Sequence, residues 1–199
     1  MTREFQSWMR QVWLSLIEPV PIARQVLAYR FDLSTLWTAM VLMGILSTLA
    51  LVILQQVAPL PPEMQAQARV ISPFAFAALV ISLLCATGFA IFKVGRILDG
   101  TGTLQQTLAV FVWFLAVRLT LVIIHIVITL FSYNIGAMFG LVTGAALIWC
   151  LVNFINELHG FKNLGTALGC LILAMLAVAM VAVTLLLLAG GLQPPGGTI

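Results

Sequence analysis

Charge is what this chain has least of. Only 8% of its 199 residues are Asp, Glu, Lys or Arg, against about a quarter in soluble domains. Nine basic and six acidic side chains cannot clothe a globule of this size in solvated surface, so a water-soluble domain is excluded. Cysteine is scarce too. Cys85, Cys150 and Cys170 all fall in apolar runs, with no metal or redox spacing, which excludes a disulfide framework and a zinc site and leaves them as small buried hydrophobes. There is no HExxH, no G-x-S-x-G, no Cys–His arrangement and no pair of carboxylates. Hydrolysis within a membrane needs an activated nucleophile with a base in reach, so the chain reads as non-enzymatic, with no catalytic residue, metal or cofactor expected. The net charge of +3 is not a nucleic-acid signature, because the basic residues flank the apolar runs.

What is present in quantity is apolar length. Hydrophobic residues make up 62% of the chain and mean hydropathy is +1.16. Uncharged runs cover residues 33–62, 70–92, 119–156 and 163–199, and a helix needs roughly 20 apolar residues to cross a hydrocarbon layer of about 30 Å. Polar breaks divide the chain into five spans near 34–57, 70–92, 103–131, 135–156 and 164–189. The expected fold class is all-α: a polytopic membrane protein with five transmembrane helices in a domain over 32–189, preceded by short amphipathic helices in a cytoplasmic or interfacial segment, 1–31. A proline-rich loop with Glu63 is expected at 58–68, and a flexible Gly/Pro tail at 190–199.

In the first segment Phe5, Trp8, Met9, Val12, Trp13, Leu16 and Ile17 recur at helical spacing. Such a stripe suits a helix lying in the headgroup plane, or one packed on the protein's own bundle. Pro19 and Pro21 end that helix, a second is expected over 22–29 with Pro21 in its first position, and Asp32 or Ser34 can cap the first span. This mixed polar stretch does not have the pattern of a cleavable signal. Arg3, Arg10, Arg24, Arg30, Lys93, Arg96 and Lys162 fall on the N-terminal side of five spans, and only Arg69 on the other. The excess places the N-terminus in the cytoplasm and the C-terminus opposite, as for a bacterial inner (plasma) membrane.

Arg118 is the one charge placed deep within a span, with no acidic residue in any span to pair with it. A charge there faces the bundle interior or water. Counting back from the Ser132-Tyr133-Asn134 turn sets Arg118 level with Trp149 and leaning toward Asn153. An Arg118–Asn153 tie with the cation over Trp149 is expected, either locking the fold or lining a lipid or anion pocket. His125, seven residues on, shares that face. At the polar turn before the third span, Gly100 and Gly102 allow a tight bend, Thr103 and Gln106 form a capping-box pattern, and His159 beside Gly160 caps a helix end. Gly136, Gly140 and Gly144, and again Gly165 and Gly169, recur every fourth residue. Small residues so spaced bring helices together in lipid, here within one chain, although the same spacing can join two copies.

The run Gly100-Thr101-Gly102-Thr103-Leu104-Gln105-Gln106-Thr107-Leu108-Ala109-Val110 resembles the glycine-rich lead-in to the third span of the Yip family of membrane proteins. Ile148-Trp149 through Leu158-His159-Gly160, with Thr166-Ala167-Leu168, resembles that family's fourth span, loop and fifth span. The likeness covers about 19–189, includes a proline near the start (Pro19 or Pro21), and is nearer the bacterial branch. In eukaryotic relatives the family associates with prenylated Rab-type GTPases through an Asp-Leu-Tyr-Gly-Pro type motif. Here Asp32-Leu33 is followed by Ser34-Thr35, so the resemblance does not extend to that motif. It implies a membrane organiser or adaptor whose partners are lipids, other membrane proteins or a second copy, and no nucleic acid. The alternative is a small transporter or channel subunit using Arg118 and His125 to line a path for an anion or lipid headgroup.

Overall fold

A computed structural model describes residues 2–58 and 73–188, and the side chains of residues 3–58 and 74–184. The chain is all-helical there: α1 Thr2–Ile17, α2 Pro19–Ala28, α3 Leu33–Val57, α4 Pro73–Ile97, α5 Leu104–Phe131, α6 Tyr133–His159 and α7 Leu164–Leu188. Among the described residues, five helices are long and apolar enough to cross a membrane. The proline-rich loop beyond Ala58, with Glu63 and Arg69, and the tail at 190–199 lie outside the described residues.

Helix ends follow local chemistry. Thr103 and Gln106 form the reciprocal capping box that starts α5. The Ser132 hydroxyl caps α6, which ends at Gly160 in the left-handed region, φ 64°. The Asn163 side chain accepts from the Thr166 N–H at 2.8 Å and opens α7. Two boundaries differ from expectation. α2 starts at Pro19, three residues early, because a first helical turn has no use for the N–H that proline lacks. α4 runs past Phe92 to Ile97. Lys93 rests its ammonium 5.5 and 5.7 Å from the Phe89 and Phe92 rings, so a cation can end the helix while its stem stays on apolar surface. Asp32 occupies the N-cap position of α3 without a side-chain hydrogen bond.

α4, α5, α6 and α7 form a ring in which each packs on its two neighbours, while α5 and α7, on opposite sides, do not pack together. α3 lies outside the ring against α4 and α5. The packing is lopsided. Ile91, Leu108, Phe154, Ile155, Ala167 and Cys170 form a closed core where α4 and α6 end and α5 and α7 begin. Toward the other end Phe131, Leu141, Met180 and Val181 are exposed. The two halves face different surroundings. α5, with 28 residues, is about 42 Å long, roughly 12 Å more than a hydrocarbon core needs. The surplus belongs at the closed end, which carries Arg24, Lys93, Arg96, Glu157 and Lys162, whereas the far turn offers apolar Phe131 and Tyr133 outward.

α2 covers the closed end, and α1 leads from it along the bundle. α1 packs on the protein's own bundle, running back against α5, with Trp8 Nε1 donating to Thr120 Oγ1 and Trp113 Nε1 to Ser15 Oγ, each at 3.2 Å. The apolar stripe therefore divides. Val12 is buried against Val117 and Leu121, while Phe5, Trp13 and Ile17 face outward.

The glycines divide as well. A Cβ at Gly136 would collide with Thr129 and one at Gly140 would sit 2.8 Å from the His125 ring, so both are needed for the close α5–α6 approach. One at Gly165 would meet only the capping Asn163, and at Gly144 and Gly169 a Cβ would meet nothing within 4 Å. Those three do not set a helix contact: Gly144 borders a cavity, the neighbour of Gly165 is local, and Gly169 faces away from the core that its neighbours Ala167 and Cys170 enter. Gly136→Leu should cost about 1–3 kcal/mol through overpacking, whereas Gly144→Leu should leave apparent Tm within about 2 °C. Thermal unfolding of the two purified variants, followed by tryptophan fluorescence in mild detergent, checks the contrast.

Candidate functional site

Two places in the fold concentrate polar chemistry. The first is a knot at the closed end. The His159 ring is 1% exposed and is wedged against three glycines: a Cβ at Gly95 would land on it, one at Gly100 would sit 2.6 Å from Nδ1 and one at Gly102 2.9 Å from Nδ1. The Thr101 N–H donates to the His159 carbonyl at 3.1 Å, Gly100 N–H to the Gly95 carbonyl at 2.8 Å, and Arg96 Nη1 to the Gly100 carbonyl at 3.3 Å. Asp99 turns the chain at φ 61°. Phe161 stacks on the imidazole, centroids 5.3 Å apart. Neither ring nitrogen has a hydrogen-bond partner among the described residues; the Ile91 carbonyl faces the ring without reaching hydrogen-bonding geometry. His159 is thus held by shape, and serves as a wedge rather than as a cap for terminal carbonyls.

One turn earlier, Glu157 takes Arg24 of α2 in a two-pronged pair, Nε to Oε2 at 2.8 Å and Nη2 to Oε1 at 3.2 Å. The hydrogen bond, and secondarily the charge, of Glu157 raises the Arg24 pKa above its ordinary value. The pair pins the α1–α2 layer to α6.

The second place is inside the ring. Arg118 lines a cavity of about 790 Å³ between α5 and α7, walled otherwise by apolar side chains and Thr87. The Thr87 hydroxyl is spent on the Leu83 carbonyl at 2.7 Å. Arg118 has no hydrogen bond or ion pair among the described residues. Glu157, the only acidic residue in α3–α7, is engaged by Arg24.

The expected tie across the hairpin is therefore not formed. Asn153 is buried but donates Nδ2 to the Trp149 carbonyl of its own helix at 2.8 Å. Trp149 turns outward, 50% exposed, and does not stack on the cation. His125 packs on Gly140 and on Phe139, centroids 6.1 Å apart, and is not part of the cavity wall. A rotation of α6 relative to the expected register accounts for Trp149 and Asn153, since it turns Gly144, Leu147 and Leu151 toward the cavity that Arg118 lines.

Gly95, Thr101 and the Arg24–Glu157 pair were not singled out from sequence. Gly95 had a signal, a glycine between Lys93 and Arg96 just before the Gly100 turn, but nothing to name its neighbour. For Arg24 the signal was that Glu157 is the one acid inside the last four spans' helices on the basic side.

Comparison with known proteins adds one match. A family model, the Yip1 domain, matches residues 13–186. No curated protein and no solved structure gives a significant match.

If the wedge is what holds the knot, Gly95→Ala should cost about 1–3 kcal/mol. His159→Ala in the same chain should recover most of it, with a coupling of at least about 1 kcal/mol. Thermal unfolding of both single variants and the double variant measures this, and additive losses would rule the wedge out.

Proposed function

The chain belongs to the Yip1-domain family of membrane proteins, and from that premise we propose that it is a non-enzymatic membrane organiser or adaptor. It binds lipid or other membrane proteins through its N-terminal layer and outer helix faces. The observation that carries the reading is that layer: α1 and α2 are fixed to the bundle by Arg24–Glu157 and by Trp8–Thr120, yet Phe5, Trp13 and Ile17 point away from it. Apolar side chains on a rigid support form a docking surface with little conformational entropy left to lose on binding. Seven of the nine basic residues fall on the N-terminal side of the five spans by sequence, which supports a cytoplasmic N-terminus in a bacterial inner membrane.

A transporter or channel subunit is the second reading, and Arg118 beside a cavity is what favours it. It fits less well. A path needs successive polar stations, but His125 lies outside the cavity wall and Asn153 is satisfied within its own helix.

The readings separate in one preparation. The protein cross-linked in its native membrane should carry a membrane-protein partner or retained lipid. Phe5→Glu with Trp13→Glu should reduce that yield at least fivefold while leaving apparent Tm within about 3 °C. Reconstituted vesicles should show no anion flux; flux abolished by Arg118→Ala would establish the transporter instead.

A further inference from the structure

We propose that the cavity beside Arg118 is a binding site for one single-tailed anionic amphiphile, its carboxylate or phosphate on the Arg118 guanidinium and its tail among α4, α6 and α7. The inference deepens the lipid-binding part of the adaptor reading and rests on it.

Charge comes first. A guanidinium stays protonated in any protein environment, and one within a membrane domain needs an anion or water beside it. Among the described residues no acid pairs with Arg118. Glu157, the only carboxylate of α3–α7, is committed to Arg24, and Asn153 is turned to its own helix. The complement to Arg118 is therefore not found among the described side chains, and an anion from outside the chain would satisfy the charge better than water alone.

Shape comes second. The cavity holds about 790 Å³, within the range of roughly 300–1,000 Å³ that encloses one compact ligand. Apart from Thr87, whose hydroxyl is already bonded, its walls are apolar from Phe111 and Leu151 at the closed end to Met175 toward the open end. A small inorganic anion would leave that wall uncovered, whereas an amphiphile with one charged atom group and one apolar tail covers both. Gly144 lines the same cavity and has nothing within 4 Å of where a Cβ would be, which leaves that wall of the space open.

Access comes third. Ile148 of α6 and Ile172 and Leu176 of α7 line the cavity and are each more than half exposed, so its wall is open and not sealed on that side. The cavity therefore opens sideways between α6 and α7 into the lipid, and an amphiphile can enter from the bilayer without crossing water. The closed core at Leu108, Phe154 and Cys170 stops it from passing through, so this is a seat and not a conduit.

The full-length protein in an uncharged detergent, delipidated by extensive washing, provides the test. Dodecanoate, dodecyl phosphate and dodecanol share one tail and differ in head. Calorimetric titration should give one site for at least one of the two anions, at least tenfold tighter than for dodecanol. Which anion binds more tightly tells a fatty-acid-like source from a phosphate-bearing one. Arg118→Gln should lose at least tenfold for the anion and leave dodecanol unchanged, and Arg118→Lys should recover part of the loss. Gly144→Leu keeps the charge but fills the space, and should abolish binding of all three while circular dichroism shows the helical content retained. Equal affinity for dodecanol and the anions, or wild-type binding in Gly144→Leu, would overturn the proposal. A partner that still co-purifies with Gly144→Leu would mean that the adaptor reading stands without this site. Loss of every partner from the wild-type chain would remove the adaptor reading while leaving the titration intact.

Discussion

The imidazole of His159 occupies space that exists only because three neighbouring residues lack side chains. Gly95 ends α4, Gly100 and Gly102 form the turn into α5, and His159 ends α6, so a single ring sets the mutual position of three of the four ring helices. Leaving both nitrogens of a buried histidine without partners is costly. The cost is tolerated because the alternative, a larger residue at any of the three glycines, would drive the helix ends apart. The backbone bonds from Thr101 to the His159 carbonyl and from Gly100 to the Gly95 carbonyl close the turn around the ring.

From that clamp follows the uneven character of the bundle. Helices fixed at one end and only loosely in contact at the other enclose a space between them, and it is there that Arg118 sits. The closed end buries apolar side chains as a soluble domain would, consistent with helix length beyond what the hydrocarbon requires. The far half presents its apolar side chains outward and has no comparable core. Lipid competes poorly with water as a reason to associate, so within the bilayer helices meet closely only where small residues permit it, as at Gly136 and Gly140.

The five spans were legible in sequence because crossing a bilayer imposes a length on each apolar run, and a length is visible without knowing any contact. The capping box was legible because Thr103 and Gln106 are three residues apart and need nothing else. Arg118 stood out for the same reason, being a lone charge in apolar surroundings. Its neighbours did not. Which side of α6 faces α5 depends on a rotation that no local pattern specifies, so Trp149, level with Arg118 by counting, and Asn153, one turn on, were not brought to it. Gly144 and Gly169 kept the spacing of packing glycines but face no neighbouring helix, Gly144 bordering the cavity and Gly169 turned away from the core that holds Ala167 and Cys170. Gly95 illustrates the converse: a glycine at a helix end looks ordinary until the ring from a distant span is set against it.

The residues that fasten the closed end are far apart in the chain. Arg24 and Glu157 are separated by 133 positions, and Thr101 and His159 by 58. A ribosome delivers α1, α2 and the α4–α5 turn long before the end of α6 emerges. Until then the early amphipathic layer has no Glu157 to hold it and the glycine turn has no ring to close on. Assembly must therefore wait for the fourth span, and a nascent chain halted before residue 157 would hold three inserted helices with their basic-side ends still unjoined.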